Sequence, residues 1–136
     1  MVCYKYFCME SKELIIDTSS ILFGLKYNKN IFDVLLENDD YSHLKLLISK
    51  GVVRELKKFS NSSKKLKLQA NIALNTIKNK NRNITVVDSN TYVDSWILSE
   101  SSSGKYIICT NDIKLRKKLK SMGVAVISIT NSGKLR

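Results

Sequence analysis

A chain of 136 residues with 43% apolar residues is long enough for one domain with a real core, and no run approaches the roughly 20 apolar residues of a membrane span. Lysine and arginine number 23 against 12 acids, a net charge of +11; this points to a polyanion, with nucleic acid ahead of an anionic membrane surface, and no membrane partner is expected. Three cysteines without a CxxC pair or an even disulfide framework, and the single histidine, His43, argue against a zinc site and fit a reducing, cytoplasmic compartment.

The whole chain, 1–136, reads as a single domain, with residues 1–12 as a loose N-terminal extension. MVCYKYFCM is mildly apolar, but it is short, holds Lys5 and lacks a small-residue cleavage pattern, so it is not read as a secretory signal. ELIID, 13–17, has the apolar run of a strand buried on both faces. SILFGL and NIFDVLLEN read as helical segments broken around YNKN, and HLKLLIS, 43–49, as the second strand, with His43 on the surface. KGVVRELKKF, 50–59, is a short helix. A longer helix follows, with Ser62 or Ser63 as its N-cap and Leu66, Ala70, Ala73 and Ile77 as its apolar stripe. ITVV, 84–87, is the third strand. A helix from about Tyr92 to Ser102 follows, capped by Asn90 or Thr91. KYIICT, 105–110, is strand four, with Cys109 as a small buried hydrophobe. NDIKLRKKLKSMG is a helix closed by Gly123, and VAVISI, 124–129, is the last strand.

Strands alternating with helices imply an α/β fold, a parallel sheet with helices on both faces. Ligands in such sheets bind beyond the carboxyl ends of the strands. Asp17 and Asp112 stand at two of those ends, although helix capping is the commoner task of an Asp so placed. Glu55 projects about 60° from Val52 and about 40° from Phe59 on a helix wheel, beside the buried stripe, where a lone charge is costly. Arg54, Lys57 and Lys58 turn the other way. Asp94 falls between the directions of Ile97 and Leu98 and is expected to aim inward, in preference to Asp88, which follows strand three. Four carboxylates at one sheet edge would repel one another unless a cation were present. An all-oxygen cluster suits Mg²⁺ or Mn²⁺. Such an ion acidifies a water and steadies charge on a phosphate without a histidine base.

At these residues the chain resembles the PIN-domain nucleases, from about Leu14 to Ile129. The resemblance is carried by Ile15, Ile16, Asp17, Thr18 and Ser19, and by Gly51, Val52, Val53, Arg54, Glu55 and Leu56. It continues in Val93, Asp94, Ser95, Trp96, Ile97 and Leu98, and in Thr110, Asn111, Asp112, Leu115, Arg116, Gly123 and Val124. The chain is most similar to an archaeal group akin to the PIN nucleases of small-subunit ribosomal RNA processing, and more distantly to VapC-type toxins. The resemblance implies a three-layer α/β/α fold with a central parallel sheet of about five strands. It also implies metal ligation by Asp17, Glu55, Asp94 and Asp112, with Thr110 and Ser19 orienting acids or a metal-bound water, and frequent homodimers.

The activity so implied is a Mg²⁺- or Mn²⁺-dependent endoribonuclease in rRNA processing or RNA turnover. A toxin of the same chemistry would pair with a small antitoxin; an rRNA-processing enzyme would meet a ribosome-assembly partner. A PIN-like module that binds RNA without cutting it is a further reading. Lys114, Arg116, Lys117, Lys118 and Lys120 occupy the arc of the last helix opposite Leu115, Leu119 and Met122, and Lys64, Lys65 and Lys67 add charge on another helix. These are the expected RNA contacts. Tyr92 and Trp96 are candidates for base stacking, Trp96 being commoner as core. A phosphoryl-transfer enzyme of the haloacid-dehalogenase pattern would need an Asp where Ser19 stands, and no Walker or dinucleotide glycine loop is present.

Overall fold

A computed structural model describes residues 12–79, 83–89 and 91–136. Cys3, Cys8 and nearly all of the expected N-terminal extension lie outside the described residues, as does Asn90. The elements run β1 (Glu13–Ile16), α1 (Thr18–Lys26), α2 (Ile31–Glu37), β2 (Leu46–Ser49), α3 (Lys50–Phe59), α4 (Lys64–Lys78), β3 (Ile84–Val87), α5 (Val93–Ser101), β4 (Tyr106–Cys109), α6 (Ile113–Ser121) and β5 (Val126–Ile127).

The strands form one parallel sheet in the order β3-β2-β1-β4-β5. The chain therefore builds outward from β1 through β2 to β3, then crosses back to lay β4 on the other flank of β1 and β5 beyond it. Right-handed crossovers put α1 to α4 on one face and α5 and α6 on the other. The packing agrees: α1 touches α2, α3 and α4, and α5 touches α6. The result is the expected three-layer α/β/α arrangement with a five-stranded sheet. Strand order reverses between β1 and β4, and an open α/β sheet forms its ligand crevice at the carboxyl ends of the strands at such a reversal.

The central strands explain themselves. Leu14, Ile15 and Ile16 of β1, and Ile107, Ile108 and Cys109 of β4, are all buried, because helices cover both faces. Cys109 behaves as a core residue, and burial pushes its thiol up to about 12. In α4, Ala70 and Ala73 are buried while Leu66 and Ile77 are partly covered, so the stripe lies as its spacing predicts. Trp96 is half-buried against the core, and His43 is exposed. Among the described residues no helix is long and apolar enough to cross a membrane.

Several boundaries differ from the sequence expectation. β2 begins at Leu46, because residues 38–44 close into turns through Ser42 N–H to Asn38 O and Leu44 N–H to Tyr41 O. α5 starts at Val93, with Tyr92 at its N-cap position, one residue beyond Thr91. β5 is short because Val124 N–H donates to Leu119 O and still belongs to the exit from α6. Met122, expected inward with Leu115 and Leu119, is 44% exposed. The helix has already ended at Ser121, and Gly123, at φ 77°, turns the chain away.

Gly24 is required by a close approach. The loop after α1 folds back so that Lys29 N–H donates to Gly24 O. A Cβ on Gly24 would stand 2.5 Å from the Lys29 carbonyl oxygen, a backbone atom with little freedom to retreat. Gly24→Ala is expected to lower unfolding free energy by about 1–3 kcal/mol in urea titration.

Candidate active site

Asp17 follows β1 and occupies the N-cap position of α1, yet its side chain makes no capping hydrogen bond. It is only 4% exposed. A buried carboxylate needs compensation, and two hydroxyls provide it: Ser19 Oγ donates to Asp17 Oδ2 at 2.6 Å and Thr110 Oγ1 donates to the same oxygen at 2.8 Å. Thr110 is brought there by register. Ile16 pairs with Cys109, and Asp17 N–H donates to Cys109 O at 2.9 Å, so the residues ending β1 and β4 lie side by side. Both hydroxyls are themselves oriented, because Asn111 N–H donates to Ser19 Oγ and Asp112 N–H donates to Thr110 Oγ1.

Asp112 does cap its helix. Its Oδ1 accepts from Leu115 N–H at 3.1 Å. The capping reading thus holds for Asp112 and fails for Asp17. Asn111, just before Asp112 in the chain, has a task the sequence did not disclose. Its amide donates to Ile129 O at 2.8 Å, and its carbonyl oxygen accepts from Ile129 N–H and from Ser20 Oγ. One side chain thereby joins α1, the end of β4 and the segment after β5.

Glu55 is half-buried on α3, beside buried Val52 and Leu56. Among the described residues no cation lies at ion-pair distance from it; Lys50 instead pairs with Asp88, at 2.6 Å on the surface. Asp88 is thereby engaged elsewhere. Asp94 departs from expectation: Val93 and Ile97 take the interior positions of α5, and Asp94 is exposed. It nonetheless lies within electrostatic reach of the other acids. Its carboxyl is raised from the ordinary 3.8, first by burial and then by the negative charges of Asp17, Asp112 and Glu55. Gly51 lets α3 and α5 approach, since a Cβ there would stand 2.9 Å from Val93 Cγ2. Glu55 and Asp94 follow these contact points on their respective helices.

The four acids therefore share one edge and one electrostatic environment, but they do not form a closed ligand set. Among the described residues no three His, Cys, Asp or Glu side chains are grouped to hold a metal ion. The chemistry of the donors nonetheless fits a hard divalent cation: carboxylate and hydroxyl oxygens without nitrogen or sulfur, and surplus negative charge felt at Asp94. Mg²⁺ keeps several waters and needs only one or two direct carboxylates, so an open set of acids is compatible with it.

Lys114, Lys117, Lys118 and Lys120 on α6, and Lys64, Lys65 and Lys67 on α4, are exposed, as a solvent-facing grip requires. Arg116 is partly covered, and its Nε is buried without a partner among the described residues. Two clefts open near the acids. One, of about 420 Å³, runs between α1 and α4 past Ser19, Lys26 and Lys65. The other, of about 550 Å³, lies between α3 and the start of α5, with Arg54, Glu55 and Lys58 on one wall and Tyr92 on the other. The sequence placed Arg54 and Lys58 away from the core but gave no sign that they border a cleft. That follows from where α5 lands.

Two measurements test this geometry. Thr110→Val keeps the shape but removes one donor from buried Asp17, and is expected to cost about 1–3 kcal/mol of stability in chemical denaturation. For Asp94, a folded value raised above the unfolded one means stability present at acid pH and lost as pH rises through the folded value. Without divalent ions, Asp94→Asn is therefore expected to melt at a higher temperature than the parent at neutral pH. The difference should fade as pH falls below the ordinary 3.8.

Comparison with known proteins accords with this architecture. A family model described as PIN like domain matches residues 14–132. The solved structure of the PIN domain endonuclease Utp24 is similar at 26% identity and a TM-score of 0.73, covering 93% of this chain and 91% of that one. A domain of a functionally unknown protein from Methanocaldococcus jannaschii shares the fold at 18% identity and a TM-score of 0.61, over 88% of this chain and 91% of that one. No curated protein matches. A match over nearly the full length, together with the five-stranded parallel sheet and the acids at its reversal, places this chain in the PIN-like domain family, the family of the PIN-domain nucleases.

Proposed function

We propose that the protein is a divalent-metal-dependent endoribonuclease acting in ribosomal RNA processing or RNA turnover. The observation that carries the reading is Asp17. A carboxylate that sits at an N-cap without capping, buried at the strand reversal and fixed by two hydroxyls, is kept for something other than the helix. The likeness to an endonuclease of the PIN domain type supports cleavage within a strand, and the net charge of +11 supports a polyanionic substrate.

Asp17, Glu55, Asp94 and Asp112 would hold Mg²⁺ or Mn²⁺; the ion, when bound, supplies an acidified water and neutralises charge on the phosphate. The chain's own part is positioning. Ser19 and Thr110 fix one oxygen of Asp17. Leu115 N–H holds one oxygen of Asp112 against the helix start. Asp94, exposed on the first turn of α5, is the acid free to move toward the substrate side. The exposed lysines of α6 and α4 would draw the RNA backbone to this edge.

Asp17→Asn and Asp112→Asn are each expected to lower cleavage of single-stranded RNA in Mg²⁺ or Mn²⁺ by about 100-fold or more, with circular dichroism and melting showing a folded protein. Cleavage unchanged in both would reject the site. Binding of the same RNA should weaken steeply between low and moderate salt, and Lys117→Ala with Lys118→Ala should flatten that slope.

A further inference from the structure

We propose that the cleft between α3 and α5 seats one nucleotide flanking the cleaved phosphate, its base stacked on Tyr92 and its phosphate met by Arg54 and Lys58. The inference rests on the endoribonuclease reading and adds the site of a neighbouring base.

Tyr92 is 88% exposed, the highest value among the large hydrophobic residues described. Its position is not explained by the helix it begins. The N-cap favours Ser, Thr, Asp or Asn, whose side chains satisfy an orphan N–H; Tyr92 stands there and makes no such bond. Among the described residues its ring joins no aromatic pair and no cation, both of which are found instead at Tyr27. Tyr92 does line a cleft of about 550 Å³, within the size range of small-ligand sites.

The opposite wall is suited to a nucleotide. Arg54 and Lys58 are one helical turn apart, exposed, and on the cleft side of α3. A planar base on an aromatic ring with a phosphate on cations is the common way of gripping a single strand without reading its sequence. At the cleft lining, Ser89 Oγ is buried without a partner among the described residues. The cleft is also next to the chemistry: Glu55 lines it, and Asp94 follows Tyr92 by two residues. A strand whose phosphate reaches the acids would bring an adjacent base to Tyr92.

The test uses the full chain carrying Asp17→Asn, so that RNA stays uncut, with Mg²⁺ and short single-stranded RNAs bearing 2-aminopurine at successive positions. One position is expected to lose fluorescence on binding. Adding Tyr92→Ala should abolish that loss and weaken binding about tenfold, whereas Tyr92→Phe, which keeps the ring, should preserve both. Arg54→Ala with Lys58→Ala should lower the salt dependence while the fluorescence change persists at saturating protein. Binding and fluorescence unaltered by Tyr92→Ala, or no binding of single-stranded RNA at all, would overturn the proposal. Cleavage by the unsubstituted chain is scored separately: no cleavage, with the Tyr92 effect intact, would refute the nuclease reading and leave the nucleotide seat standing.

Discussion

The parallel pairing of β1 with β4 is the constraint on which the site depends. The register sets Ile16 beside Cys109, and the ladder continues one step further through Asp17 N–H to Cys109 O. That step carries Thr110 to the Asp17 carboxylate across 93 positions of sequence. Both strands are buried on both faces, so a slip by one residue would exchange the side chains packed against each helix layer and leave the polar ends of the strands out of line. The core therefore enforces the alignment of two polar residues that contribute nothing to it. Hydroxyl donors then make the burial of Asp17 tolerable, since an uncompensated carboxylate there would be expelled or neutralised.

Charge is distributed unevenly over this frame. The chain is strongly cationic, yet one edge gathers four acids whose mutual influence is felt at Asp94. Mutual repulsion disfavours the fold, and its persistence at the strand reversal is more readily understood as the cost of a site than as a stabilising device. Asp88 makes the contrast clear: it too follows a strand end, but it has Lys50 beside it and takes no part in the cluster. The basic residues of α4 and α6 lie on solvent-facing surfaces, where long-range attraction can act on a polyanion without disturbing the packed interior.

Much of the frame was legible in the sequence because local signals agreed with the tertiary answer. The helix over Lys50–Phe59 has apolar residues at helical spacing, a serine before it and lysines at its end, and it forms over that span. The runs LIID and IICTND read as central strands because nothing polar interrupts them until the carboxyl end. Where reading failed, competing contacts decided. The apolar run 124–129 yields only Val126–Ile127 as strand, since its first residues still serve the exit of α6. Asp94 was placed inward by angle alone, but Val93 and Ile97 took the interior of α5. The clefts were illegible for a different reason: each is bounded by segments distant in the chain, and no local pattern reports the gap between two helices.

Asn111 shows how the edge of the sheet is finished. Beyond Ile127 the β4–β5 ladder gives way to a side chain, whose amide offers Ile129 both a donor and an acceptor, as a further strand residue would. The same amide is gripped by Ser20, on the helix that starts at Asp17. Ile129 in turn bridges to Leu135, with Ser128 and Arg136 exchanging backbone hydrogen bonds. The closing hairpin is consequently tied to the strand end and the helix start that carry Asp112 and Asp17. Loss of the Asn111 carboxamide would therefore remove a brace common to the closing hairpin, the end of β4 and the first turn of α1.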